Sequence, residues 1–328
     1  MIKNQWYIVL SSKEVKKGKL VGVTRFSEKL VFWRDTEGNV HCISDICCHR
    51  GASLSHGKLV MNNERVMCPF HGFEYDKSGK VVVIPANGRN TPVPENFKVR
   101  SYRTYETADF IWIWYGESEP DSEPTYFEDI GKDLVCSEFK EVWTVHYSRA
   151  IENQLDVVHV PFVHYNTIGR GNRTVVDGPI VKWVNDTMFY FYVFNRVDDG
   201  TPAKKPEELG LEQKSQVYLE FKMPNIWQNH IDEKLRVTAA FVPIDDENTM
   251  IYIRFYVKFT KIRIINKLIS MLGMPFNKKV LHQDKKVVET QIPKRTELKM
   301  KENLIPGDSP ILEYRKKREF LKTKSVKF

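Results

Sequence analysis

The chain has 328 residues, of which 41% are hydrophobic and 28% charged, and a net charge of +8. This is the composition of an ordinary folded protein of about two domains, and it excludes general disorder. Apolar runs such as Ile111–Tyr115 stop far short of the ~20 residues of a spanning helix, and the N-terminal stretch lacks the apolar core and cleavage site of a secretory signal.

Cysteines stand at 42, 47, 48, 68 and 136. An odd set of five is too small for a disulfide scaffold, and three within seven positions suggest metal or redox chemistry in a reducing cytoplasm. The positive excess is uneven: residues 261–328 hold 18 Lys or Arg against 7 Asp or Glu. Such a segment attracts an acidic electron carrier, an anionic membrane or nucleic acid, or is a solvated Lys-rich helical face.

Residues 1–118 read as strands and tight turns. VTRFSEKLVFWRD and GNVHCISD pair across a turn near Glu37-Gly38. RVMCPFHGFEYD and KVVVI form a hairpin around Lys77-Ser78-Gly79. DFIWIWYG alternates, so Trp112 and Trp114 share one face as core packing. Residues 119–130, acidic and proline-bearing, read as a linker. In residues 131–328 a strand leads into a helix that continues through Asp156 and His159 toward Pro161. The strand-like runs TMFYFYVFNRV, SQVYLEFKMP and RVTAAFVP-IDDEN-TMIYIRFYVKF follow, then helical patterns at IRIINKLISML and KKVLHQDKKVVETQ. An all-β front half followed by an antiparallel sheet with packed helices is the α+β class.

Two groups of residues carry chemistry. The first is Cys47-x-His49 with Cys68-x2-His71. Two thiolates and two imidazoles suit a structural zinc or a Rieske [2Fe-2S] cluster, and spacing alone leaves both open. In the second, Asp156 and His159 lie three apart, as residues sharing a helix face do. Pro161 then ends or kinks that helix and lets His164 swing round to His159. Two histidines form two-thirds of a 2-His-1-carboxylate site for non-haem Fe(II), with positions left for O2.

The runs Cys47-Cys48-His49-Arg50-Gly51-Ala52 and Cys68-Pro69-Phe70-His71-Gly72-Phe73, continued by Tyr75-Asp76 and Gly79, closely resemble the two cluster loops of Rieske domains. Respiratory Rieske proteins bridge these loops with a disulfide; Ala52 and Phe70 occupy those places here, which points to the oxygenase and ferredoxin branch. With no such bridge and few hydroxyl donors near the sulfurs, a potential near the low end of the Rieske range, about −150 mV, is expected. Together with the D-x2-H-x4-H motif at 156–164, nearly the whole chain resembles the alpha subunits of Rieske non-haem iron oxygenases, the compact monooxygenase and demethylase group above all.

The resemblance implies an N-terminal [2Fe-2S] domain held by Cys47, His49, Cys68 and His71. It also implies a helix-grip-like catalytic domain with mononuclear Fe(II). It supplies the third iron ligand as Asp284, in the late-helix context Gln283-Asp284 with Glu289 five residues on. Asp156 takes the role of a bridging carboxylate, bonded to His159 and to the His71 of a neighbouring subunit, in a homotrimer where electrons cross between subunits. Asn153 becomes a polar residue near the iron, and His282 a structural neighbour. The implied partners are an NAD(P)H-dependent reductase or a ferredoxin, O2 and a small organic substrate that is hydroxylated or oxidatively demethylated. Cis-dihydroxylation and a plain electron carrier lacking catalytic iron are the alternatives. Phe162 and Tyr165 are candidate pocket residues, and Cys48 is expected to be a buried small hydrophobe. Arg315-Lys316-Lys317-Arg318 is read as a dock for an acidic ferredoxin, with neither nucleic acid nor membrane expected as a partner.

Overall fold

A computed structural model describes residues 1–210 and 217–324; Ser215 and Gln216, which open one of the strand-like runs, lie outside the described residues. The chain divides between Tyr126 and Phe127 into two compact units.

The first unit is all β. Three small sheets hold β1 (Gln5–Ser11), β10 (Thr104–Thr107) and β11 (Phe110–Tyr115); β2 (Val21–Arg25), β3 (Glu28–Arg34), β4 (Val40–Ser44) and β9 (Ser101–Tyr102); and β5 (Lys58–Val60), β6 (Arg65–Met67), β7 (Glu74–Tyr75) and β8 (Val81–Val83). VTRFSEKLVFWR reads as one run but folds back on itself. Phe26 and Ser27 both take positive φ, and such a two-residue turn matches the twist of the flanking strands. Cys47, Cys68 and Tyr75 belong to a buried cluster with Val31, Trp33, Ile43, Leu54 and Val66, so the packing that holds this unit also fixes the two thiols.

The second unit is built on a seven-stranded antiparallel sheet. Its strands are β12 (Val135–Trp143), β13 (Val175–Trp183), β14 (Met188–Arg196), β15 (Tyr218–Lys222), β16 (Ile226–Asp232), β17 (Leu235–Pro243) and β18 (Thr249–Val257), in the order β12-β18-β17-β16-β15-β14-β13. Among the described residues four α-helices accompany it: α1 (Tyr147–Leu155), α2 (Val160–Val163), α3 (Arg263–Val288) and α4 (Ser309–Lys324). The two helical patterns after residue 262 form one helix that runs through Pro275. It lies on β12 and β18, where Ser270 Oγ donates to the Phe255 carbonyl at 2.7 Å. A Cβ at Gly273 would collide with the Phe255 ring, so a glycine is needed for this close approach.

Two local expectations change. Asp156 and His159 do not share a helix: Asp156 closes α1, His159 opens α2, and both sit in the turn between. Pro161 begins the second helix rather than ending the first, a position where its missing N–H has no helical partner to lose. The basic run in α4 is also not a surface patch. Arg315 is buried, with Nε and Nη2 at 2.8 and 2.7 Å from the Glu152 carboxylate of α1. Arg318 is buried too and donates to the Thr296 carbonyl. Lys316 and Lys317, which are not buried, pair with Glu313 and Asp186.

Two candidate metal centres

The loops that carry Cys47-His49 and Cys68-His71 are closed by the same pair of backbone bonds. Cys47 N–H donates to Ala52 O at 2.9 Å and Cys68 N–H to Phe73 O at 2.8 Å. Gly51 N–H returns to Cys47 O and Gly72 N–H to Cys68 O, with both glycines at φ near +75°. The thiols are buried, while His49 and His71 are exposed with ring centroids 4.6 Å apart. The four ligand atoms do not gather around one point: among the described residues, the one group of three or more with all ligand atoms within 4.8 Å of one another is His159, His164 and Asp284. Four donors to one tetrahedral zinc would gather that tightly; thiols at one end and imidazoles at the other fit a two-iron cluster.

One side chain was missed as a cluster contact. Tyr75 Oη lies 3.0 Å from Cys47 Sγ and 3.3 Å from Cys48 Sγ, and accepts from Cys48 N–H at 3.1 Å. Burial, with the two thiols beside it, pushes the Tyr75 phenol far up, so it stays a proton donor. The expectation of few hydroxyl donors therefore undercounts. Cys48 is exposed, not a buried hydrophobe.

In the second unit His159, His164 and Asp284 converge. Asp284 Oδ1 lies 2.9 Å from His164 Nε2 and 3.4 Å from His159 Nε2, yet it is buried and makes no aligned hydrogen bond. Burial opposes charge on His159, but the carboxylates of Asp156 and Asp284 outweigh it and push its pKa up to about 10. Burial likewise works against ionised Asp284, and the two imidazoles hold it below the usual carboxylate range. One oxygen and two ring nitrogens close to a common centre make a donor set that suits a ferrous ion.

The neighbours set the ring orientations. Gln283 Oε1 faces His164 Nδ1 at 3.1 Å and accepts from Thr167 Oγ1 at 2.7 Å, while its amide donates to Asn166. With Nδ1–H donating to Gln283, His164 Nε2 presents its lone pair to the centre. Asp156 Oδ1 accepts from the backbone N–H groups of Val158 and His159 and lies 3.6 Å from His159 Nδ1. His282 faces outward to Glu141 at 2.6 Å, as expected of a structural residue.

A cavity of about 450 Å³ opens beside this group. Asn153, Asp156, His159, His164 and Asp284 form one end; Leu219, Trp227, Asn229, Val237, Ile253 and Phe255 of the sheet and Phe276 of α3 line the rest. Trp227 Nε1, Asn229 Oδ1 and Asn153 Nδ2 are buried there without partners. No Lys or Arg lines it among the described residues. Phe162 and Tyr165 are exposed on the surface and take no part in it.

A Rieske-like loop pair in one unit and a two-histidine, one-carboxylate group beside an apolar cavity in the other are the two halves of a Rieske-type oxygenase. Residues 5–103 match the Rieske [2Fe-2S] domain family, and residues 143–322 match the vanillate O-demethylase oxygenase C-terminal domain family. The chain belongs to the Rieske non-haem iron oxygenases.

Chlorophyllide a oxygenase of Chlamydomonas reinhardtii is 36% identical over 171 residues, which are 52% of this chain and 26% of that protein. The oxygenase component of dicamba O-demethylase from Stenotrophomonas maltophilia is 33% identical over 172 residues, 50% of this chain and 48% of that one. The chain thus spans less than half the length of either relative. The fold of Pseudomonas putida CBB5 NdmA is similar, with a TM-score of 0.79 over 98% of this chain and 92% of that one, at 24% identity.

Proposed function

We propose that the chain is an oxygenase component that hydroxylates or oxidatively demethylates an uncharged, largely apolar organic substrate. It would draw electrons from an NAD(P)H-dependent reductase, directly or through a ferredoxin. The observation that carries this is the cavity: apolar walls, the metal-ligand group at one end, and no lining cation among the described residues. A carboxylate or sulfonate lying along the walls away from the metal end would find no Lys or Arg to pair with. Trp227 Nε1–H and the Asn229 and Asn153 side chains are left to orient a neutral polar group. At ~30 Å³ per water-sized group the cavity takes roughly 15 non-hydrogen atoms, a substrate of one or two rings.

The [2Fe-2S] cluster supplies one-electron storage and the mononuclear ferrous ion supplies O2 activation. The chain does the positioning. Cys47 and Cys68 bury one end of the cluster site, and His49 and His71 bring the other to the surface where a donor docks. Gln283 fixes the ring of His164, while Asp156 stands 3.6 Å from His159 Nδ1, too far for the expected hydrogen bond, and holds His159 through its backbone N–H. In a homotrimer, Asp156 would also accept from the partner subunit's His71, joining two imidazoles through one carboxylate. What supports this is that both groups are accessible: His71 is exposed and the Asp156 side chain only partly covered.

Substrate-dependent O2 uptake tests the proposal. With reductase present, neutral aromatic and methylated-amine compounds of one or two rings are expected to stimulate uptake and yield hydroxylated or demethylated products, and four-ring steroids are not. Carboxylate and sulfonate analogues of the stimulating compounds should not. Uptake confined to the anionic analogues would sink the substrate class. An iron content of about two per chain, rather than about three, would point to a bare electron carrier.

A further inference from the structure

The N-terminal half of α3 is inside out. The line it packs against the sheet is small and polar: Asn266, whose amide donates to Thr260 O, then Ser270 and Gly273. The line it turns to solvent is Ile264, Leu268, Met271, Leu272 and Phe276, with Ile264 74% and Leu272 81% exposed and the others about half. At 100° per residue these five fall within an arc of about 140°, and they extend ~18 Å along the axis. A stripe of that size on a folded chain marks a surface that something covers.

Charge selects the occupant. Between Lys258 and Lys279 there are six Lys or Arg and no Asp or Glu, a local concentration of the chain's C-terminal surplus. Lys261, Lys278 and Lys279 are exposed around the stripe. A second copy of the same face would meet it with like charge. A nucleic acid backbone offers nothing for five apolar side chains to bury against. An anionic bilayer satisfies both features at once, acyl chains for the stripe and phosphate headgroups for the lysines. No helix among the described residues is long and apolar enough to cross a membrane, so the association is one of lying on the surface.

We infer that this face of α3 seats the protein on an anionic membrane surface, against the expectation from sequence that no membrane partner is involved. Phe276 lines the cavity as well as the stripe, so the seated face borders the cavity's entrance. A lipophilic substrate dissolved in the bilayer would then enter without crossing water. The seating itself does not depend on what the cavity oxidises.

Vesicle flotation of the full-length holoprotein tests it. The protein should rise with phosphatidylcholine vesicles containing about a quarter phosphatidylglycerol, and at least about tenfold less with pure phosphatidylcholine. Leu268→Glu with Leu272→Glu, neither of which lines the cavity, should reduce flotation by at least about tenfold while the cluster's visible spectrum is kept. Lys278→Glu with Lys279→Glu should do the same through charge alone. Wild-type protein that stays at the bottom with anionic vesicles overturns the inference. So does a leucine variant that floats as before, or one whose mass by light scattering shows a lost subunit contact, since the stripe would then be an oligomer interface.

Discussion

The two metal centres differ in how the chain assembles them. The cluster loops lie within 25 consecutive residues, 47–71, and each carries its ligands in the same backbone frame. The proposed ferrous site takes two histidines from the turn and short helix after α1 and its carboxylate from a helix whose Gln283 is 119 positions from His164. A local site is specified by its own turns; a distributed site needs the whole second unit folded before its ligands meet. The first therefore tolerates damage to the second, and this asymmetry can be tested.

The sharpest break is His159→Ala. Removing a ligand from the convergent group should abolish mononuclear iron binding and lower turnover by at least about 10³-fold, while the visible spectrum of the cluster stays as it was. Iron and labile-sulfide analysis checks both statements. Loss of the cluster spectrum as well would mean that the two sites do not assemble independently.

The second test concerns the scaffold of the distributed site. Arg315→Ala removes both hydrogen bonds to the buried Glu152 carboxylate and leaves it only Arg149 at 3.6 Å, which should destabilise the unit by about 2–4 kcal/mol in urea unfolding. Lys316→Ala, a few ångströms away on the exposed side, should stay within about 0.5 kcal/mol. Equal effects would revive the view of the run as one solvated patch.

Asp156→Asn is milder in structure and still large in function. The amide oxygen can go on accepting from Val158 and His159, so the turn and both metals should be kept. The charge beside His159 is lost, and turnover should fall by about 100-fold. Unchanged turnover at full iron content would remove Asp156 from the electron path.

These contrasts follow what could be read from residues. The paired loops around Cys47, His49, Cys68 and His71 were legible because turn geometry is local, and Gly51 and Gly72 stand where the backbone needs positive φ. Asp284 came from resemblance; nothing in its own neighbourhood separates a ligand from a surface acid, and only folding buries it. The cavity was illegible. Leu219, Trp227, Val237, Ile253 and Phe255 alternate along strands as core residues do, so periodicity could not distinguish a packed face from a vacant one. Phe162 and Tyr165 were chosen for nearness in sequence to the histidines, but α2 turns both outward. The run at 315–318 misled for a related reason: helical spacing put Arg315 and Arg318 on the inner face, Lys317 at its margin over Trp183 and Phe320, and only Lys316 in the open. The sequence run shows four charges and not their direction.

The smallest effect probes the local site from within. Tyr75→Phe keeps the ring in the core of the first unit and removes only the hydroxyl beside Cys47 Sγ. Reduction adds negative charge to the cluster and its thiolates, so a phenol donor favours the reduced form and its loss should lower the midpoint potential. A hydrogen bond to a charged acceptor that strengthens by about 1.2 kcal/mol on reduction corresponds to ~50 mV for one electron. A redox titration followed at the cluster's visible bands should show that shift, with iron content at the second site unaltered. A midpoint that does not move would mean that the hydroxyl serves Cys48 N–H and packing alone. The potential would then be set by cluster charge and exposure, as the sequence led one to expect.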